Sequence, residues 1–238
     1  MLRAFAAAVL VLVVWLGLSS PVWGAPFQWP GQMTVGGFNI TDIKGTAKDD
    51  GSGSATGSIQ IQGIEKRLVT LTRSARGEVT GKVALNTRVA GTAVQAELSL
   101  GKDGLKGTGS LQTSPKPLTA ATISVNSRGQ FSGSGKIALG KIAVPTEFAL
   151  VGGSLRLSGT ASVQVRADSA LAVYKLEGSL TLKGGPGKID LTLDGKVERT
   201  GKLAKQSTTT KVSKVNIDPN DGKCKIDVDG VAVTFSLF

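Results

Sequence analysis

The residues able to act as nucleophiles, acid–base catalysts or metal ligands are few in this 238-residue chain. It has no histidine and one cysteine, Cys224, which excludes Ser-His-Asp and Cys-His nucleophilic arrangements and the common zinc sites. Carboxylate pairs for glycoside chemistry are formally possible, but the acids stand mostly at turns or on alternating polar positions of strands. Cys224 is typical of a small buried side chain on a strand. We therefore expect a protein that is not an enzyme and that uses no cofactor or metal ion.

One segment, residues 216–222, has oxygen-bearing side chains at alternate positions, as a calcium loop does. It lacks the glycine and the bidentate glutamate that such a loop places at fixed positions. Its last two residues, Asp221-Gly222, form a dipeptide that tight hairpin turns prefer. The segment therefore predicts a turn rather than a calcium site.

The formal net charge is +11, and basic residues concentrate in one C-terminal stretch that only Glu198 opposes. They are Lys196, Arg199, Lys202, Lys205, Lys211 and Lys214. This cluster is typical of a contact with lipid headgroups, an anionic membrane surface or an acidic cell-wall polymer. The alternative is a solvated loop, because residues 202–214 are polar and Thr-rich and predict a mobile loop before a final hairpin at 215–238. Nucleic acid is not an expected partner, since aromatic stacking residues are scarce.

The N-terminus has the order of a secretory signal. Arg3 precedes an apolar run at 4–18, and small residues allow cleavage after Gly24. The run is shorter than the roughly 20 residues that a membrane-spanning helix needs, so a retained anchor is the minority alternative. We expect a signal peptide at 1–24 and a single β domain at 25–238, located in the periplasm, at the cell surface or secreted.

Strand signals dominate the rest of the chain. Apolar and polar residues alternate with period two, which gives each strand one apolar face. The clearest runs are Val94, Ala96, Leu98 and Leu100, and Ile189, Leu191 and Leu193. Five Asp-Gly dipeptides predict hairpin turns: Asp50-Gly51, Asp103-Gly104, Asp194-Gly195, Asp221-Gly222 and Asp229-Gly230. Residues 114–117 and 184–187 predict two further hairpin loops.

An internal repeat places a glycine before two alternating apolar positions. It begins at Gly57, Gly81, Gly109, Gly135, Gly159 and Gly178, at spacings of 24, 28, 26, 24 and 19 residues. Two strands with two short connections fill roughly 25 residues, so each repeat predicts one β-hairpin and the series predicts about 12 to 15 strands. Glycine inside strands predicts bends or bulges that let a sheet curl. The expected fold is all-β, with repeated antiparallel hairpins forming a long curled sheet, groove, sandwich or barrel.

The glycine-led hairpins, together with the stretch at 35–45, resemble the AsmA and TamB-like envelope proteins. That resemblance implies a curled sheet whose apolar groove carries lipids between membranes. A second resemblance, through residues 176–184 and 57–71, is to YceI-like lipocalin barrels.

Two hypotheses for function follow. In the first, the apolar interior binds an acyl or isoprenoid chain, and the residues facing it are Ile59, Ile61, Val83, Leu85, Ile137, Leu139, Leu180 and Leu182. In the second, these residues pack a solid core, and the sheet is a structural or adhesive scaffold that binds a cell-wall or protein partner. An apolar groove open to solvent favours the first hypothesis, and a filled core with polar outer faces favours the second. The oligomeric state is not predicted.

Overall fold

The computed structural model describes residues 27–89, 91–151, 153–185 and 187–238, so the predicted signal peptide lies outside the described residues. They form sixteen β-strands. These are β1 (Met33–Val35), β2 (Phe38–Ala47), β3 (Gly53–Ile59), β4 (Arg67–Arg73), β5 (Val79–Val89), β6 (Thr92–Gly101), β7 (Gly104–Gln112), β8 (Leu118–Val125), β9 (Phe131–Leu139), β10 (Ile142–Val151), β11 (Ser154–Asp168), β12 (Ala172–Gly185), β13 (Lys188–Gly201), β14 (Ser207–Ile217), β15 (Lys223–Val228) and β16 (Val231–Ser236). The described part of the chain contains no helix long and apolar enough to cross a membrane.

The first fourteen strands form one curled sheet in which every strand pairs antiparallel with its neighbours in the chain. Strands β15 and β16 form a separate hairpin. The predicted all-β fold of repeated hairpins is confirmed, with slightly more strands than the repeat count predicted. Short connections explain the order, because a hairpin turn can only join strands that lie side by side.

Each strand presents alternate residues to two faces, as the sequence predicts. In β6, Val94, Ala96, Leu98 and Leu100 are all buried, and in β13 Ile189, Leu191 and Leu193 are. The residues between them are polar and exposed or partly exposed. We call the buried side of the sheet the inward face and the polar side the outward face.

The sheet curls far enough for distant turns to touch. Gly36, in the β1–β2 turn, packs against Gly101 and Gly104 at the β6–β7 turn. Gly129, in the β8–β9 turn, packs against the carbonyl group of Gln62 in the β3–β4 loop. The contacts thus join the β1–β2 turn to the β6–β7 turn and the β3–β4 loop to the β8–β9 turn, and each pair is five strands apart in the sheet. The curled sheet therefore encloses its inward face.

The repeat glycines lie on the inward face, and so does Gly133, two residues before the repeat glycine Gly135. A Cβ atom at Gly133 would overlap the carbonyl oxygen of Thr122 on β8 and lie 2.9 Å from the Phe148 ring. Only a residue without a side chain allows the neighbouring backbone to come this close.

Four β-bulges add to the bending, and two of them face repeat glycines. The extra residues Asp42-Ile43 on β2 stand opposite Gly57, and Ala120-Ala121 on β8 stand opposite Gly135. The first residue of each pair has a positive φ, 56° and 48° respectively. A bulge increases local twist, so the predicted link between glycine and sheet curvature is confirmed at these positions.

The C-terminal hairpin closes the inward face at the far end of the sheet. Its apolar side buries Cys224, Ile226, Val228 and Phe235, and the cysteine is therefore the buried strand residue that we predicted. Strand β15 packs against β14, and β16 packs against β11. Phe238 reaches Gly140 in the β9–β10 turn.

Several sequence predictions are corrected. The repeats that begin at Gly57, Gly81, Gly109 and Gly135 are each one hairpin, but Gly159 and Gly178 lie on the two strands of a single hairpin, β11–β12. Strands of 15 and 14 residues explain the short spacing, because 19 residues reach only the next strand.

The dipeptide Asp194-Gly195 is not a turn, although the other four Asp-Gly pairs lie at turns. It lies inside β13 opposite a bulge, where the Asp194 carboxylate accepts a hydrogen bond from the backbone N–H of Lys214 at 2.9 Å. The side chain thus partners the backbone of a neighbouring strand instead of its own turn.

Residues 202–214 are not a long loop. Only 202–206 form the β13–β14 turn, and the rest is strand β14, which extends to Ile217. The threonines are β-branched and suit a strand, and pairing with β13 satisfies the backbone. The final hairpin accordingly begins at Lys223. The loop predicted at 114–117 does connect β7 to β8, whereas Gly184 and Gly185 of the loop predicted at 184–187 belong to strand β12.

Candidate functional site

The eight residues predicted to face an apolar ligand lie in the buried core. Ile59, Ile61, Ile137, Leu139, Leu180 and Leu182 are 0% exposed, Val83 is 2% exposed and Leu85 is 3% exposed. Seven of them lie on the inward faces of β3, β5, β9 and β12, and Ile61 lies in the loop after β3. Their side chains are brought together in the core. Leu182 and Leu85 border depressions on the outward side of the sheet, but both are buried.

Cross-strand neighbours account for this burial. Ile137 on β9 lies between Leu118 on β8 and Val144 on β10, and both are 0% exposed. Leu180 on β12 lies next to Leu193 on β13, which is also 0% exposed. The apolar surface that a ligand would need is thus already covered by the protein's own side chains.

The six predicted cations are distributed over four places. Lys196 and Lys211 are directly opposite each other on the outward faces of β13 and β14. Lys196 also lies beside Glu177 on β12, with its Nζ 3.6 Å from Oε2. Opposed like charges are unfavourable on a sheet, and the glutamate offsets part of that repulsion.

Arg199 and Lys214 belong to different surroundings. Arg199 is partly buried on the inward face between Tyr174 and Thr208, and its Nε atom is buried without a hydrogen-bond partner in the described structure. Lys214 has a φ of 50° in the bulge opposite Asp194.

Lys202 and Lys205 lie in the β13–β14 turn at the end of the sheet. The Lys202 ammonium lies 2.5 Å from the carbonyl oxygen of Ser169 in the β11–β12 turn. Lys205 is exposed. The predicted cationic cluster is therefore one lysine pair, one turn and two separate residues, and not one continuous surface.

A groove that the sequence did not indicate crosses the outward face of β8–β12, and we call it the polar groove. Its volume is about 650 Å³. The polar side chains lining it include Ser134, Lys136, Glu147, Ser158, Thr160, Thr181 and Lys183. A signal for it was present in the alternating Ser, Thr and Lys residues of β9, β11 and β12, but only the strand order brings them together.

Two cross-strand rows organise the polar groove. Ser134, Glu147, Ser158 and Lys183 follow one another across β9 to β12. On the adjacent row, Lys136 lies opposite Pro145, and Thr160 lies opposite Thr181. The hydroxyl groups can donate and accept hydrogen bonds, and the ammonium groups can bind anions.

A second groove, the edge groove, lies between β1 and the outward side of β4–β7, with a volume of about 950 Å³. It contains Lys82, Lys102 and Lys106, but also Glu78 and Asp103. Lys106 and Asp103 form an ion pair at 3.7 Å. The cations here are therefore more closely offset by acids than those of the polar groove.

Groups with shifted pKa values lie outside both grooves. A hydrogen bond from the Ser52 hydroxyl lowers the pKa of Asp50, and one from Arg166 lowers the pKa of Asp168. Burial raises the pKa of the Cys224 thiol. Within the described residues, no three Asp, Glu or Cys side chains are close enough together to hold a metal ion.

No protein-family model, no curated protein and no solved structure matches this chain. The resemblances to AsmA and TamB-like proteins and to YceI-like barrels stay predictions.

Proposed function

We propose that this protein is an exported, non-enzymatic envelope protein whose curled sheet is a scaffold and whose polar groove binds an acidic cell-wall polymer. The observation that carries the proposal is the contrast between a closed apolar interior and an outward groove lined by hydroxyls and lysines. A ligand that binds outside must then be polar and at least partly anionic.

The spacing of the lysines favours a polymer over a small molecule. Lys136 lies on β9 and Lys183 on β12, three strand spacings apart, which corresponds to about 14 Å. Ser158, Thr160 and Thr181 lie between or beside them. An extended chain with acidic groups and hydroxyls could contact both ammonium groups and the intervening side chains at once.

The charges of the polar groove favour an anion. Neither Lys136 nor Lys183 has an ion-pair partner in the part of the chain that the structure describes. Glu147 is the one acid among the groove residues. The net charge of +11 for the whole chain adds a long-range attraction for polyanions.

Carriage of a lipid in the interior is the alternative. It would require residues such as Ile137 and Leu180, both 0% exposed, to separate and form a cavity. The scaffold function requires no such rearrangement, so it is the function that this geometry supports better.

Binding to polygalacturonate, a carboxylated glycan, tests the proposal, with neutral dextran as the control polymer. We expect titration calorimetry to detect the first and not the second, with binding that weakens as salt shortens the Debye length from about 10 Å at 0.1 M to about 3 Å at 1 M.

The double variant K136Q/K183Q is expected to bind polygalacturonate about tenfold more weakly, because two exposed charge contacts are removed. The matched variant K82Q/K102Q removes the same charge from the edge groove and should bind as the wild type does. Equal losses in the two variants, or a loss only in K82Q/K102Q, would contradict the assignment to the polar groove.

A further inference from the structure

Three exposed apolar side chains lie at the turns of one end of the molecule. Leu171, in the β11–β12 turn, is 69% exposed, and Leu203, in the β13–β14 turn, is 91% exposed. Val231, at the start of β16 beside the β15–β16 turn, is 48% exposed. We call these three residues the apolar tip. A protein that leaves large apolar side chains exposed at neighbouring turns forgoes the favourable burial that they would have in a core.

Hydrogen bonds hold the three turns beside one another. The backbone N–H of Lys202 donates to the carbonyl oxygen of Leu171 at 2.9 Å. The Thr208 hydroxyl donates to the Asp229 carboxylate at 2.8 Å, which joins the start of β14 to the β15–β16 turn. The apolar tip is therefore one surface built on connected turns.

The strands below the tip support it. Beyond Gly159, β11 pairs with β12 alone as far as Asp168. Its inward residue Val163 is buried, as are Leu176 and Val197 on the next two strands. A packed core below the turns fixes the direction in which they project.

Charges near the apolar tip favour an anionic partner. Lys202 and Lys205 flank Leu203 within the same turn, and both side chains are exposed. Asp168 is paired with Arg166 at 3.0 Å, whereas Asp229 accepts a hydrogen bond from the neutral Thr208 hydroxyl and keeps its negative charge. Lys202, Lys205 and Arg166 outnumber Asp168 and Asp229, so these groups give the tip a net positive charge.

We propose that the apolar tip docks on an anionic lipid bilayer. Leu171, Leu203 and Val231 enter the boundary between headgroups and acyl chains, while Lys202 and Lys205 stay at the level of the lipid phosphates. Anionic headgroups add attraction for each lysine near the surface. This proposal does not depend on the polymer-binding function, because the tip and the polar groove share no residues.

The form of the surface favours a bilayer over a second protein. A protein partner needs a continuous apolar core surrounded by a polar rim. Here the three apolar side chains stand on separate turns, with polar backbone and charged side chains between them. A fluid lipid surface can surround each side chain separately, whereas a folded partner would need three matching pockets.

Sedimentation with vesicles tests the proposal. The full mature chain is mixed with vesicles of phosphatidylglycerol and phosphatidylcholine in equal amounts, and with vesicles of phosphatidylcholine alone. We expect clearly stronger binding to the anionic vesicles. The variant L171S/L203S should lower the partition coefficient at least about tenfold, because burial of each leucine is worth about that factor.

The matched control is L68S. Leu68 is 70% exposed on the outward face of β4, away from the tip, and its replacement should leave vesicle binding unchanged. K202Q/K205Q should weaken binding to the anionic vesicles several-fold and leave binding to phosphatidylcholine unchanged. Thermal unfolding of all variants checks that the fold is retained, which we expect because the replaced side chains are exposed.

Three results would overturn the proposal. One is equal vesicle binding by wild type and L171S/L203S. Another is a loss of vesicle binding in L68S that equals the loss in L171S/L203S. The third is a wild-type dimer in sedimentation velocity that L171S/L203S converts to a monomer, because the tip would then be an interface between two copies of the chain. Polygalacturonate binding should be the same in all of these variants. A failure of the polymer-binding proposal is therefore distinguishable from a failure of the bilayer proposal.

Discussion

The inward and outward faces of this sheet are made by the same strands but differ in what they leave available. On β12, Leu180 and Leu182 are 0% exposed, while Thr181 and Lys183 beside them line the polar groove. On β9, Ile137 is buried and Lys136 lines the same groove. The alternation thus places the packed core on one face and the proposed binding groove on the other. Neighbouring positions of one strand therefore differ in whether a substitution affects the core or the groove.

The largest difference between the faces is expected for truncation of a leucine. Leu180→Ala should lower the free energy of unfolding by about 2–5 kcal/mol, since it removes buried side-chain contacts and leaves a cavity. The exposed Leu68→Ala should change it by less than about 0.5 kcal/mol. Urea denaturation measures both. A loss for Leu180→Ala as small as that for Leu68→Ala would mean that the inward face is open and not packed.

An intermediate effect is expected at a glycine on the inward face. Gly133→Ala should destabilise the fold by about 1–3 kcal/mol, because its Cβ would overlap the Thr122 carbonyl group and force the backbone apart. Gly101→Ala is the matched control, since a Cβ there has no atom within 4 Å and φ is not positive. If both variants have the same unfolding midpoint in urea, the close backbone approach at Gly133 is not needed for the stability of the curled sheet.

The smallest effect is expected from the single thiol on the inward side of the C-terminal hairpin. Burial raises the pKa of Cys224 above its ordinary value of 9.0, so the unfolded chain loses the thiol proton at a lower pH than the folded protein does. The contribution of this group to stability is complete below pH 9 and is lost as the pH rises through the folded-state pKa.

The measurement is the urea midpoint of wild type and Cys224→Ala between pH 8 and pH 10.5. The wild type should lose more stability over this range than the variant does, because only the wild type carries the titrating thiol. Parallel curves would show that Cys224 is as accessible to water in the folded protein as in the unfolded chain.

Much of the fold could be predicted from local chemistry. The alternation in β6 and β13 requires only the period of a strand, and the turns at Asp50-Gly51 and Asp229-Gly230 require only the backbone preference of that dipeptide. Asp194-Gly195 was assigned to a turn for the same reason, and there a long strand and a neighbouring bulge override the local preference. A local sequence pattern does not reveal how long a strand is when pairing with both neighbouring strands stabilises it.

The candidate sites were less predictable because they depend on the order and curvature of the strands. Lys136 and Lys183 are far apart in the sequence and line one groove only because four successive strands are neighbours. Leu171 and Leu203 are isolated apolar residues within turn-forming segments, and neither belongs to an alternating run. Their common location follows from hairpins that turn at the same end of the sheet. The predicted cation cluster failed to form a single surface because alternate residues of β13 face opposite sides.

Native mass spectrometry of the protein purified from the cells that produce it, followed by organic extraction and lipid analysis, tests the central claim most directly. A filled inward face predicts the mass of the polypeptide without a stoichiometric lipid, and no uptake of a fluorescent fatty acid. One acyl or isoprenoid lipid retained per chain would contradict the account, because such a ligand could only be held by opening the core around residues such as Ile137 and Leu180.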